Sequence, residues 1–268
     1  MVQDEESLAL ALRGGLRGRF QGSFNQLENA VEALDDFMLQ RLNPSDYASL
    51  RSMMREINWQ LANLRRLSDH AADAATAPVL EKLRVPAPLE LLSQLTEAAE
   101  LFNELTAGSA RSVHVTVETA PGLDVLPTAG DVSLLNGLLT NLVSNTLAAD
   151  RAAHIMLLCT PGRLCYRDNG PGLPPDAAAL LTEGQWSERL LHAGGLGLPL
   201  VAAYTSAMGW ALTVGEGPGM SLQFTLPAAP PLDGMVLTSP TECLADRQKR
   251  RRLIRRELAV LVADTSMQ

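Results

Sequence analysis

Three short runs hold the residues whose types and spacing could do chemistry together. Asn141 and Asn145 stand four apart in an apolar-periodic run from Asp131 to Ala149, so on a helix their side-chain amides share one face. Asp168 follows a strand-like run and opens the sequence Asp168-Asn169-Gly170-Pro171-Gly172. An ionised aspartate only accepts hydrogen bonds, so it favours a ligand that offers a donor. Gly170 and Gly172 let the backbone turn sharply and approach that ligand. Gly194, Gly195, Leu196 and Gly197 lead into a further helical pattern, whose free amide groups and positive end favour phosphate. Any one run has a commonplace reading as a turn or a polar helix face. In this order and spacing they are a strong joint signal.

The elements that must position these residues follow from periodicity. The run from Asp131 to Ala149 predicts a helix, and Ala153 to Leu158 with Arg163 to Arg167 predicts a hairpin turning at Pro161-Gly162 and feeding Asp168. A loop with a short helix, Pro175 to Leu191, precedes the third run. Leu196 to Ala207 is helical, and strands Ala211 to Glu216 and Met220 to Leu226 turn at Gly217-Pro218-Gly219. Upstream, Leu89 to Thr106 reads as a helix and Val113 to Glu118 alternates as a half-buried strand, which makes His114 a structural strand residue; His154 reads the same way. The order gives an α/β sandwich, helices on one face of a mixed and largely antiparallel sheet.

Ahead of the sandwich, Ser7 to Leu42 is helical, with Phe20, Phe24, Leu27, Val31, Leu34 and Met38 at heptad spacing. Asn43-Pro44-Ser45-Asp46 breaks the helix, with Ser45 or Asp46 expected to cap the next. That second helix repeats the seam at Tyr47, Leu50, Met54, Ile57, Leu61 and Leu64, so the pair forms an antiparallel hairpin. One hairpin cannot bury both seams well by itself, so a second copy completing a dimeric four-helix bundle is the favoured reading, and a hairpin packed on its own sandwich as a monomer is the alternative. The fold class is therefore α+β. The expected divisions are a helical dimerisation hairpin over 1–70, a linker rich in alanine and proline over 71–88, the sandwich over 89–228, and a basic tail of helical spacing over 229–268. Six residues precede the first expected helix, so a sensor domain is expected to be absent, trimmed away or supplied by another protein.

The chain has 268 residues and a formal net charge of −8, which argues against nucleic acid as a partner. No apolar run approaches the roughly 18 to 20 residues that span a bilayer, and no secretory signal opens the chain, so a cytoplasmic location is expected. Its three cysteines, an odd number, suit a reducing compartment. Cys159 and Cys165 could face each other across their hairpin, but free thiols are the favoured reading. The arginine-rich tail reads as a helix laid on the acidic body of its own molecule, or as a docking helix for an acidic partner or phospholipid.

The run Asn141-Leu142-Val143-Ser144-Asn145, the run beginning at Asp168, and Gly194-Gly195-Leu196-Gly197-Leu198 together resemble the ATP-binding domain shared by histidine kinases, Hsp90, MutL and type II topoisomerases. The surroundings are most similar to histidine kinases. The resemblance implies that Asn145 supplies its side-chain oxygen to Mg²⁺, a hard cation suited to such a ligand, with Asn141 lining the same wall. It implies that Asp168 takes the exocyclic amine of adenine, and that the glycines of the third run meet phosphate. Two positions depart from the family pattern. Ala193 stands where a glycine is usual, and Ala148 and Ala149 stand where a basic residue often reaches the phosphates, with only Arg151 near.

A histidine kinase phosphorylates a histidine on the first helix of its hairpin. Leu8 to Leu42 contains none, and the matching region is Arg17-Gly18-Arg19-Phe20-Gln21. His70, at the end of the second helix, is the remaining candidate acceptor on the hairpin, though its place is unorthodox; His192 reads as a lid residue beside the third run. Two functions stay open: a histidine-kinase-like enzyme that uses Mg-ATP to phosphorylate an atypical site or a separate protein, such as a response regulator or other signalling protein, and a pseudokinase that binds nucleotide as a dimer without phosphoryl transfer. A hydrolytic relative fits worse, because the run from Asp131 to Ala149 has no glutamate to activate water.

Overall fold

The computed structural model describes residues 2–77, 87–182, 196–229 and 244–262. The chain divides into two units, Met1–Thr76 and Ala77–Gln268. In the first, helices α1 (Val2–Arg41) and α2 (Pro44–Thr76) pack against each other as a hairpin. Asn43, and neither Ser45 nor Asp46, caps α2. Its Oδ1 accepts the Asp46 amide at 3.0 Å and its Nδ2 donates to the Asp46 carboxylate at 2.8 Å. Pro44 can then open the helix, where no N–H is needed. The helix also runs six residues beyond the expected end at His70, because Ala71 to Ala75 is alanine-rich and the next proline is Pro78. Arg65 ties the hairpin together, with Nη1 at 2.7 and 2.8 Å from the Glu28 carboxylate oxygens and Nη2 at 3.2 Å from Asn25 Oδ1.

The second unit opens with β1 (Ala87–Glu90), α3 (Leu91–Thr106), β2 (Ser112–Thr119), β3 (Pro127–Gly130) and α4 (Val132–Ala149). It continues through β4 (Ala152–Thr160), β5 (Arg163–Asp168), α5 (Pro175–Thr182), α6 (Gly197–Ala207), β6 (Ala211–Val214), β7 (Ser221–Thr225) and α7 (Leu244–Val262). Five strands form one sheet in the order β2-β4-β5-β7-β6, parallel between β2 and β4 and antiparallel elsewhere. Alternate residues of the strands, Val113, Val115, Ile155, Leu157, Leu164, Tyr166, Leu222 and Phe224, are buried. The core is completed from the helical layer by Leu95, Leu101 and Phe102 of α3 and by Leu135, Leu138 and Leu142 of α4.

The edge strand β2 is blunted from α3. Asn103 exchanges both side-chain bonds with the Val115 backbone, and the Thr106 hydroxyl accepts the Val113 amide at 3.1 Å. A second, two-stranded sheet pairs β1 with β3 in an antiparallel register, and Trp210 Nε1 donates to Ala129 O at 2.8 Å beside it.

The hairpin register sets Cys159 opposite Leu164 and Cys165 opposite Leu158, one residue out of step. The two sulfurs therefore point to opposite faces and stay free thiols, and burial pushes that of Cys159 up to about 11. Helix α7 packs on α3 and α4 of its own unit. Arg250, 2% exposed, pairs with Glu97 at 3.0 Å and hydrogen-bonds Gln94, while Arg251 reaches Glu104 at 2.8 Å. Among the described residues no helix is long and apolar enough to cross a membrane.

Candidate functional site

Helix α4 starts where Asp131 caps it, accepting the amides of Ser133 and Leu134 at 2.8 and 2.9 Å. Its apolar face fixes its rotation, and Gly137 sits under the Tyr204 ring, where an added Cβ would come within 2.8 Å. That rotation brings Asn141 and Asn145 to one place. Asn141 is 6% exposed and donates from Nδ2 to Gly137 O at 2.8 Å, which leaves its buried Oδ1 without a partner. Nδ2 of Asn145 is also buried and unpaired. Most such atoms in folded proteins are bonded, and each unmade bond costs about 1–3 kcal/mol.

Both amides look onto Gly197, the first residue of α6. A Cβ there would lie 3.0 Å from Asn145 Oδ1 and 3.3 Å from Asn141 Oδ1. Leu196, the residue before it, makes no side-chain cap bond, and Pro199 has no N–H. As first-turn amides, those of Gly197 and Leu198 have no acceptor within the helix itself, and that positive end of a helix favours an anion.

Asp168 ends β5 inside a dense set of donors. Oδ1 accepts the amides of Met220 at 2.7 Å and Gly170 at 3.0 Å, and Oδ2 accepts the Thr146 hydroxyl at 2.6 Å. Thr146 directly follows Asn145, so α4 joins the paired amides to this carboxylate. Gly170 and Gly172 turn the chain away from Asp168, and Gly172 has φ +85°, a value that favours glycine. Asn169 anchors the turn, accepting the His154 amide at 2.7 Å and donating to Asp150 at 3.1 Å.

The structure therefore gathers Asn141, Asn145, Leu196 and Gly197 in one cluster and Asp168, Gly170 and Gly172 in an adjoining one. Gly194, Gly195 and His192 lie outside the described residues. His70 is 5% exposed on α2, next to the equally buried Asp69. His114 and His154 are register partners on the outer face of the sheet, with ring centroids 5.9 Å apart. Sequence reasoning missed Thr146, Tyr166 and Gly219. Only Gly219 left a signal, the Gly217-Pro218-Gly219 turn. A separate groove of about 410 Å³, lined by Glu90, Ser93, Glu97 and Asp124 among others, contains none of these residues.

Residues 130–230 match the family model of histidine kinase-, DNA gyrase B-, and HSP90-like ATPases. No curated protein sequence matches the chain. Among solved structures it is similar to full-length ShkA in complex with AMPPNP, with a TM-score of 0.52 and 22% identity over 86% of this chain and 47% of that one. It is also similar to the catalytic domain of histidine kinase ThkA, with a TM-score of 0.44 and 19% identity over 55% and 100% of the two chains. For the Acinetobacter baumannii histidine kinase AdeS the TM-score is 0.45, with 14% identity over 75% and 97%. The chain spans about half the length of ShkA, and the likeness to ShkA is one of fold.

Proposed function

We propose, from the premise that residues 130–230 are a histidine kinase-, DNA gyrase B- and HSP90-like ATPase domain, that this chain binds Mg-ATP and acts as a histidine-kinase-like signalling protein. In this reading it passes the γ-phosphoryl group to a protein acceptor, in a two-component-type pathway that includes a response regulator. The observation that carries the reading is the pair of buried, unpartnered amide atoms of Asn141 and Asn145 facing the backbone of Gly197.

The residues present fit the ligand. A nucleotide with Mg²⁺ would satisfy the orphaned amide atoms, and a half-turn of the Asn145 amide exchanges which of its ends meets the metal. Asn145 would hold the metal and Asn141 the wall beside it. Gly194, Gly195, Leu196 and Gly197 would receive phosphate, and Asp168 with Gly170 and Gly172 the adenine. Mg-ATP supplies the transferable phosphoryl group when bound. The chain's own part is positioning and electrostatic stabilisation, which supply most of the catalysis in phosphoryl transfer. The working form in this reading is a cytoplasmic homodimer joined through the α1–α2 hairpin.

One observation favours a second reading: Leu8 to Leu42 has no histidine. The chain would then be a pseudokinase, a dimeric nucleotide-binding module without autophosphorylation. Incubation with γ-labelled ATP and Mg²⁺ separates the two. Saturable binding is expected, weakened at least about tenfold in Asp168→Asn, which turns an acceptor oxygen into a donor; unchanged affinity would refute the Asp168 assignment. Acid-labile, alkali-stable label on the chain that disappears in His70→Ala would exclude the pseudokinase. Binding without label on the chain would exclude autophosphorylation.

A further inference from the structure

Thr146 Oγ1 has three polar neighbours and one proton. It lies 2.6 Å from Asp168 Oδ2, 2.7 Å from the Tyr166 hydroxyl and 3.2 Å from Leu142 O. The charged acceptor is nearest and forms the stronger bond, so the proton points at Asp168. Two hydroxyls at 2.7 Å share a single hydrogen between them, so the Tyr166 hydroxyl must then donate to Thr146. The order of donation is fixed from Tyr166 through Thr146 to Asp168. Both relay residues are buried, at 2% exposure for Thr146 and 0% for Tyr166, so water does not compete with them. Burial also pushes the Tyr166 phenol well above its ordinary range, which keeps it a donor at any working pH.

The relay has a consequence for what Asp168 can recognise. An ionised carboxylate has about four acceptor positions, and Met220, Gly170 and Thr146 fill three of them. The one left is on Oδ2, and every proton around the group already points toward it. We propose that Thr146 and Tyr166 are positioning residues that set selection of adenine over guanine through Asp168, an inference that rests on the nucleotide reading above. A purine amine donates into the remaining position. A purine carbonyl would meet an oxygen with no proton to offer. Without the Thr146 hydroxyl, Oδ2 is free to turn and to take up water, and a bridging water supplies the proton that a carbonyl needs.

Calorimetric titration with the Mg²⁺ complexes of non-hydrolysable ATP and GTP analogues tests this through the ratio of the two dissociation constants. Thr146→Val should lower the preference for the adenine analogue about tenfold and Tyr166→Phe about threefold, whereas Thr146→Ser keeps it within about twofold. Thermal melting checks that each variant is folded; if Thr146→Val is not, Tyr166→Phe against Thr146→Ser decides. An unchanged ratio in the folded variants, or equal loss of affinity for both analogues, overturns the relay and leaves Mg-ATP binding standing. A native protein that binds neither analogue overturns both.

Discussion

Gly219 serves the candidate site by lacking a side chain. It adopts φ +80°, and a Cβ there would lie 2.0 Å from Asp168 O and 2.9 Å from Asp168 Oδ1. The β6–β7 turn can close onto Asp168, with Met220 N on its carboxylate, only because nothing stands between them. Gly219→Ala should destabilise the fold by at least about 2 kcal/mol, from left-handed strain and from a clash with backbone. It should weaken adenine nucleotide binding more than about tenfold by shifting Asp168. Urea denaturation and calorimetry check the two effects, and a native midpoint with native affinity would show that the turn does not hold the carboxylate. The shared face of Asn141 and Asn145 and the turn after Asp168 were legible in the sequence, because local spacing carries both. Thr146 and Tyr166 were not. One looks like helix filler and the other like an ordinary inward strand residue, and their value lies in contacts across 22 and 20 positions of chain.

At the scale of elements, the long periodic segments were readable and the β1–β3 ladder was not. Pro127 and Pro88 disguise the β1–β3 ladder as linker and loop, and its four residue pairs leave no alternation to read. Glu90 is where that small sheet meets α3. Its carboxylate caps the helix through the amides of Leu92 at 3.2 Å and Ser93 at 2.7 Å, and accepts Leu126 N at 2.9 Å. Burial alone would raise its pKa. The hydrogen bonds from Leu126, Ser93 and Leu92 outweigh burial and hold it below the ordinary glutamate value. A depressed carboxylate stabilises the fold above its unfolded-state pKa, and that contribution is lost as pH falls through the lowered folded value. Glu90→Gln should thus lower the melting temperature near neutral pH, and the gap to the native protein should close on acidification below about pH 4. A gap that stays constant from pH 7 to pH 3 would sink this account of the cap.

At the scale of the whole molecule, the open question is what covers the hairpin. The heptad seam divides when α1 and α2 meet. Met38 and Met54 are buried and Phe24 and Val31 are half-buried. Phe20, Leu27 and Leu34 on α1, and Ile57 and Leu64 on α2, remain 44% to 53% exposed, each seven residues from the next on its helix. A second hairpin would bury this stripe in the manner of a four-helix bundle, at about 25 cal/mol for each Å² of apolar surface covered. The Glu28–Arg65 pair already fixes the two helices of one hairpin, so a partner would meet a preformed face. Light scattering should give a dimer mass that holds on dilution into the micromolar range. Leu27→Glu with Leu64→Glu places charges on the stripe and should yield a monomer with its helical circular dichroism largely kept, because neither side chain belongs to the buried set. A native protein that scatters as a monomer at every concentration would remove the bundle. Any phosphoryl transfer to the hairpin would then have to occur within a single chain.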